Sequence, residues 1–205
     1  MARGTLVLVV GPSGAGKDSI ITGAANCLRE DARFLFAQRL ITRAAGAGGE
    51  NHVGVSPADF AARRLRGELM LHWRAHGLDY GLPRDLAAAL EQGHSVVANV
   101  SRTVVDEARQ RFAPVLVVAI HASPETLATR LAARGRENPA QIERRLERAG
   151  VPALETDFDI DNDGPIEIAV DAFVTMLCDL TRQTASPSIS SSAPAARTNG
   201  AFNVA

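Results

Sequence analysis

Thr5-Leu6-Val7-Leu8-Val9-Val10 is an unbroken apolar, β-branched run that ends at Gly11-Pro12-Ser13-Gly14-Ala15-Gly16-Lys17-Asp18. Such a run has no polar face, so the strand it makes must be covered on both sides, as a central strand of a parallel sheet is. After the glycines, Ile20, Ile21, Ala24, Cys27 and Leu28 recur at helical spacing. Buried strand, glycine turn and helix N-terminus in this order aim unpaired N–H groups and a helix dipole at one spot, where an anion is favoured. The turn fits G-x-x-x-x-G-K, in which backbone N–H groups wrap the β-phosphate and the lysine reaches the β/γ oxygens. The chain holds 21 arginines and this single lysine. Lysine is a compact point charge on a flexible stem and arginine a wide planar fork, so a lone lysine here marks a place the fork does not fit.

Gly11 through Asp18 are therefore expected to bind a nucleoside triphosphate, with Lys17 on its phosphates. Asp18 stands where Ser or Thr normally follows the lysine, and Ser19 comes next. A carboxylate there suits Mg²⁺, directly or through water. It equally suits the positive end of the helix dipole.

The rest of the chain alternates strands and helices, which implies an α/β fold with a doubly wound, mostly parallel sheet. Phe34-Leu35-Phe36-Ala37 through Leu40-Ile41 reads as a second strand. Residues 42–55 are glycine-rich and nonperiodic, a substrate loop more than a core. Ser56-Pro57-Ala58-Asp59 starts a helix expected to run towards Leu71. Ser95–Val100 and Val115–Ile120 are further buried strands. Ser123-Pro124-Glu125 and Asn138-Pro139-Ala140-Gln141 cap two more helices. Phe158-Asp159-Ile160 is a short last strand, and a helix follows over 165–182. Residues 1–183 form one domain. The tail 184–205 is Ser/Ala/Pro-rich with Arg197 its only charge, and is expected to be disordered.

A net charge of −1 gives no bulk electrostatic case for nucleic acid or membrane binding. Cys27 and Cys178 read as small core residues in a reducing compartment. No apolar run approaches the roughly 18 residues of a membrane span, and the early first strand leaves no room for a signal peptide. The expectation is a cytoplasmic monomer or homodimer acting on small molecules.

Arg130, Arg134, Arg136, Arg144, Arg145 and Arg148 cluster late in the chain. Arg144 and Arg148 read as a solvated surface with Glu137, Glu143 and Glu147 as counter-charges. Arg134-Gly135-Arg136 flank a glycine in a loop, as an arginine-bearing lid closing over a triphosphate would.

The series GPSGAGKD, ITR with GGE, Trp73 through Tyr80-Gly81, RLAARGRE and RRL resembles the guanylate kinase family of P-loop phosphotransferases, over roughly residues 5–165. The resemblance implies a P-loop NTPase fold with an inserted acceptor-binding loop and helix region over 42–82 and a lid over 130–148. It implies that Thr42-Arg43, Gly49-Glu50 and Tyr80-Gly81 grip the acceptor's phosphate. It also places the lid arginines at Arg130 and Arg134, a catalytic arginine at Arg145 and the adenine-side asparagine at Asn162.

The departures carry more information. Guanylate kinases have a second arginine where this chain has Gly46, a guanine-reading glutamate at the position of His72, a tyrosine near Ser56, and an acidic strand end in place of Ala98-Asn99-Val100-Ser101-Arg102. A site that reads a base through buried polar partners loses orders of magnitude without them. GKD in the loop, GGENH, W-x-x-H-G-x-x-Y-G, V-A-N-V-S-R and RGREN together closely resemble the ribose 1,5-bisphosphate phosphokinases of bacterial phosphonate catabolism. That resemblance implies transfer of the ATP γ-phosphoryl to the 1-phosphate of ribose 1,5-bisphosphate, giving 5-phospho-α-D-ribosyl 1-diphosphate, with Mg²⁺ as cofactor. Its implied site comprises Lys17, Arg134 and Arg145 in catalysis, Gly11–Asp18 and Asn162 at the nucleotide, and Arg43, Glu50, His52, His72 and Tyr80 at the acceptor. For each histidine a structural role is an equal expectation, and Trp73 reads as core. The rival readings are a nucleoside monophosphate kinase, chiefly guanylate kinase, and a non-catalytic binding module on the same scaffold.

Overall fold

A computed structural model describes residues 3–44, 51–133 and 154–185 of the 205-residue chain. Its central strand is β1 (Leu6–Val10), in which every residue is fully buried. β1 lies between β7 (Ser95–Asn99) and β8 (Val115–His121), parallel to both, with Leu6 opposite Val96 on one side and Val115 on the other. β2 (Phe34–Phe36) and β9 (Phe158–Asp161) add parallel strands outside these, giving the order β2-β7-β1-β8-β9.

The strand alternation divides the core into two faces. Leu6, Leu8, Val10, Val96, Ala98, Val117 and Ala119 face one way, and Val7, Val9, Val97, Val118 and Ile120 the other. The second face is covered by α1 (Lys17–Cys27), α5 (Pro124–Ala133) and α6 (Ile166–Ala185), which contribute Ile20, Ala24, Leu127, Phe173 and Leu177. The first face is covered by α3 (Asp85–Glu91) and α4 (Val105–Arg111) and by a second sheet. Burial on both sides is why β1 carries no polar residue.

That second sheet corrects the expected loop and helix insertion. It has four strands in the order β4-β3-β6-β5. The segment expected as one second strand divides: Phe34–Phe36 stays in the parallel sheet, while β3 (Arg39–Ile41) leaves it for the second sheet. β4 (His52–Gly54) lies inside the expected loop and pairs with β3. The helix begun by Ser56 is α2 (Pro57–Leu65) and does not reach Leu71. Gly67, at φ 69, stops it, with Gly67 N–H donating to Arg64 and Glu68 N–H to the Arg63 carbonyl. This paired bonding around a left-handed glycine is the Schellman helix end. The chain then forms the hairpin β5 (Leu69–Ala75) and β6 (Leu78–Pro83).

Two smaller corrections concern side chains and bounds. Cys27 is exposed, because it sits in the last turn of α1 away from the sheet, while Cys178 is partly buried against the Phe173 side of the core. The closing helix runs to Ala185, two residues into the expected tail. The helix expected at Asn138, the Arg134–Arg148 segment, Gly46, Glu50 and the tail beyond 185 lie outside the described residues. Among the described residues no helix is long and apolar enough to cross a membrane.

Candidate active site

In an open parallel sheet, ligands bind beyond the carboxyl ends of the strands, where neighbouring connections part. Here β7 and β8 follow one another in sequence yet flank β1, so the parting lies at the end of β1. That end is the glycine loop. Gly11, at φ 146, has no room for a side chain: a Cβ there would stand 2.3 Å from the Ile120 carbonyl oxygen. Gly16 caps α1 at φ 90, and a Cβ on it would stand 2.3 Å from Asn162 Nδ2. Ile20 N–H to Gly16 makes the first helical bond, so the first-turn N–H groups of α1 have no partner along the helix. They form the anion-binding end. Lys17 Nζ donates to the carbonyls of Gly11 and Pro12 at 2.9 and 2.8 Å, which folds the ammonium back over the loop.

Asn162 follows β9, and its side-chain amide donates to the Ala15 carbonyl at 2.7 Å, with the residue only 2% exposed. It touches the nucleotide loop from behind. Arg130 reaches the same place from α5: its Nη1 lies 3.8 Å from where a Gly16 Cβ would be. That nitrogen is buried without a hydrogen-bond partner among the described residues. An unpaired guanidinium nitrogen beside a phosphate loop is a donor suited to an anionic ligand.

The second sheet carries the residues expected at the acceptor and reaches the loop through Arg39. Thr42 closes β3 on β6 by two bonds, its N–H to the Asp79 carbonyl at 3.1 Å and its Oγ1 accepting from Asp79 N–H at 2.9 Å. The Arg43 N–H then donates at 2.8 Å to the carbonyl of Ile41, the residue that pairs with Tyr80. Tyr80 stacks on Trp73, centroids 5.5 Å apart and planes 7° apart. Both rings are buried, in agreement with Trp73 as core. His52 is buried on β4 with Nε2 3.2 Å from the Ala44 carbonyl, and pairs in register with Arg39. His72 does not join them. It pairs with Gly81, one residue out of phase with the Trp73–Tyr80 pair, so alternation turns it to the opposite face, where it is exposed. Ser56 is committed to capping α2, its Oγ accepting from Asp59 N–H at 3.0 Å.

Arg39, which sequence reasoning did not single out, and Asn99, read there only as part of the altered strand end Ala98–Arg102, tie the halves together. Asp18 Oδ1 accepts from Asn99 Nδ2 at 2.7 Å and from Arg39 Nη2 at 3.2 Å. Arg39 also donates to the Asn99 carbonyl at 3.3 Å and lies over the Tyr80 ring at 5.8 Å. Burial pulls the Arg39 pKa down, the Asp18 carboxylate opposes that, and nearby Arg43 adds a smaller lowering. Arginine's intrinsic basicity keeps it charged. The only signal for Arg39 was its position four residues before Arg43 at the head of a strand.

A wholly parallel sheet, a G-x-x-x-x-G-K loop at its central strand and a small mixed sheet that reaches the loop through Arg39 define a P-loop phosphotransferase of guanylate-kinase-like fold. The guanylate kinase of Anaplasma phagocytophilum superimposes with a TM-score of 0.59 at 22% identity, over 88% of this chain and 87% of that one. No protein-family model matches the chain. Among curated proteins, the ribose 1,5-bisphosphate phosphokinase PhnN of Rhodopseudomonas palustris is 48% identical over 82% of this chain and 86% of its own length. That of Rhizobium etli is 44% identical over 85% of this chain and 90% of its own. The bifunctional ribose 1,5-bisphosphokinase-thymidine phosphorylase of Cupriavidus necator is 45% identical over 97% of this chain, which spans 32% of that longer protein. The chain belongs to the ribose 1,5-bisphosphate phosphokinase family.

Proposed function

We propose that this chain transfers the γ-phosphoryl group of ATP to the 1-phosphate of ribose 1,5-bisphosphate, releasing ADP and 5-phospho-α-D-ribosyl 1-diphosphate. The observation that carries the reading is the contact of the Lys17 loop, through Asp18, with Arg39, whose guanidinium lies over the Tyr80 ring and within reach of the Arg43 charge, in a chain of this family. A 1-phosphate oxygen attacks the γ-phosphorus, the bond from that phosphorus to the β,γ-bridging oxygen breaks, and the electron pair leaves on ADP. A phosphate monoester with second pKa near about 6 is already largely dianionic at neutral pH, so no strong base is required. Catalysis is positioning and charge neutralisation.

Lys17 and the N–H groups of the loop hold the donor's phosphates, with Gly11, Pro12, Ser13, Gly14, Ala15 and Gly16 shaping the cradle. Asn162 keeps that cradle in shape from behind. Arg43 and Tyr80 hold the reacting phosphate of the acceptor, with His52 beside them and Glu50 in the adjoining segment. His72, exposed on the opposite face, is not part of this grip. Arg134 supplies the lid charge, and Arg145 the further catalytic charge, that the family resemblance assigns to them.

Mg²⁺ fits this site. It takes one or two carboxylates plus substrate phosphates and keeps several waters. Asp18 offers one carboxylate whose Oδ1 is hydrogen-bonded, and no described residue bonds Oδ2. Among the described residues no cluster of three acidic, histidine or cysteine ligands exists, so the phosphates must complete the set. Bound there, held by Asp18, the ion would supply charge neutralisation to the donor's phosphates. The use of ATP is in keeping with a cytoplasmic location.

The reading is preferred over a guanylate kinase because the residues that match its base readers in sequence offer no base partner: His72 is turned to an exposed face and Ser56 caps α2. It is preferred over a non-catalytic module because the loop and Lys17 are intact. ADP release measured with ATP, Mg²⁺ and a panel of phosphorylated acceptors tests it. Turnover with ribose 1,5-bisphosphate is expected to exceed that with every nucleoside monophosphate.

A further inference from the structure

We infer that Arg39 is a positioning residue for the metal: it holds the Asp18 carboxylate by Oδ1, so that Oδ2 alone is offered to the Mg²⁺ of the nucleotide complex. The inference rests on the reading of Asp18 as a metal ligand given above.

Two donors converge on Oδ1. Asn99 Nδ2 stands at 2.7 Å and Arg39 Nη2 at 3.2 Å, from the end of β7 and from β3 respectively. A carboxylate turns freely about its last bond unless its oxygens are held. With both donors on one oxygen, that rotation is fixed. The Arg39 side chain is 11% exposed while that of Asp18 is 43% exposed, so the cation is sunk beneath the carboxylate and the carboxylate opens toward solvent. Arg39 is itself fixed at two further points, the Asn99 carbonyl at 3.3 Å and the Tyr80 ring at 5.8 Å.

The charges also make sense only as a set. P-loop enzymes generally hold their metal between a neutral loop hydroxyl and an acid on a neighbouring strand. Here the acid, Asp18, is on the loop side, and the neutral amide, Asn99, ends the neighbouring strand. The same charge is kept with the places exchanged. A carboxylate so close to the loop repels a polyphosphate, and the guanidinium behind it offsets that repulsion. Arg39 belongs to the acceptor sheet, so the same contact couples acceptor sheet and nucleotide loop.

The test uses Asp18→Asn, Arg39→Gln and the double variant. Two quantities are read: the Mg²⁺ concentration for half-maximal activity, and the rise in melting midpoint with ATP plus Mg²⁺ minus the rise with ATP plus chelator. Groups that orient a metal ligand cost about 10–100-fold in metal affinity when removed. Arg39→Gln is therefore expected to raise the Mg²⁺ requirement by about tenfold and to shrink the midpoint rise with ATP plus Mg²⁺ by more than it shrinks the rise with chelated ATP. In the double variant Arg39→Gln is expected to add nothing to the effect of Asp18→Asn. That double variant strands neither member of the pair, so it keeps the comparison open even where Asp18→Asn alone, which leaves the buried Arg39 guanidinium without its carboxylate, does not fold. A wild-type Mg²⁺ requirement in Arg39→Gln, or a further rise on top of Asp18→Asn, overturns the inference. A wild-type requirement in Asp18→Asn overturns the metal-ligand reading itself, and the two failures are thereby told apart.

Discussion

The side-chain amide of Asn162 donates to the backbone carbonyl of Ala15 at 2.7 Å, joining the end of β9 to the phosphate loop past the intervening strand β8. Both groups are shielded from water, so neither has a solvent substitute. Leaving a buried acceptor unpaired costs about 1–3 kcal/mol, and for a chain of this size each kcal/mol moves the melting midpoint by about 2–4 °C. Asn162→Ala is expected to lower the midpoint by several degrees and to weaken ATP binding with it. Calorimetric melting and ATP titration check both; ATP affinity unchanged alongside a wild-type midpoint would mean the loop holds its shape unaided.

Gly16→Ala meets the same amide from the other side. The residue sits at φ 90 with Asn162 Nδ2 2.3 Å from the added carbon, so strain and clash act together. A non-glycine in this region costs about 1 kcal/mol or more before any clash. The expected result is a lower midpoint and loss of the ATP-induced stabilisation, read in one thermal-shift series with and without ATP.

Lys17→Arg keeps the charge but not the shape. The ammonium reaches two loop carbonyls at 2.9 and 2.8 Å, a space a planar fork does not fill in the same way. Turnover is expected to fall by about a hundredfold, comparable to loss of a transition-state donor, with the melting midpoint near wild type. Steady-state kinetics beside a melt decides it; near-wild-type turnover would make the lone lysine an accident of composition.

The parallel half of this fold was legible because burial on both faces writes itself as continuous apolar runs, in Leu6–Val10, Ser95–Asn99 and Val115–His121 alike. The second sheet was not. Its hairpin turns on His76-Gly77, both with positive φ (51 and 76), the geometry of a tight two-residue β-turn. Histidine is an unusual first residue for such a turn, so the usual Asn-Gly or Asp-Gly flag was missing. The site shows the same division. The glycine loop is local and was readable, whereas Asp18 meets Arg39 and Asn99, 21 and 81 positions away, and only the folded sheet order brings them together. His72 was read at the acceptor because it stands at the position of the guanine-reading glutamate of guanylate kinases, but strand alternation turns it to the face opposite Trp73 and Tyr80.

The pH dependence should belong to the acceptor more than to the protein. Its second phosphate ionisation lies near about 6, and no described side chain is placed as a base. Turnover per acceptor concentration is expected to rise through about pH 6 and then stay level to about pH 9. A second rise above neutrality would reveal an enzyme base that the geometry does not contain.

The central claim is that the acceptor is a sugar bisphosphate and the product a diphosphate at its anomeric carbon. Phosphorus NMR of a mixture holding ATP, Mg²⁺, ribose 1,5-bisphosphate and an equal amount of GMP tests it in one tube. The account predicts a new coupled pair of diphosphate signals from 5-phospho-α-D-ribosyl 1-diphosphate, with GMP left almost untouched, since a base site without its polar partners loses discrimination and affinity by orders of magnitude. Conversion of GMP to GDP with the bisphosphate left intact would contradict it.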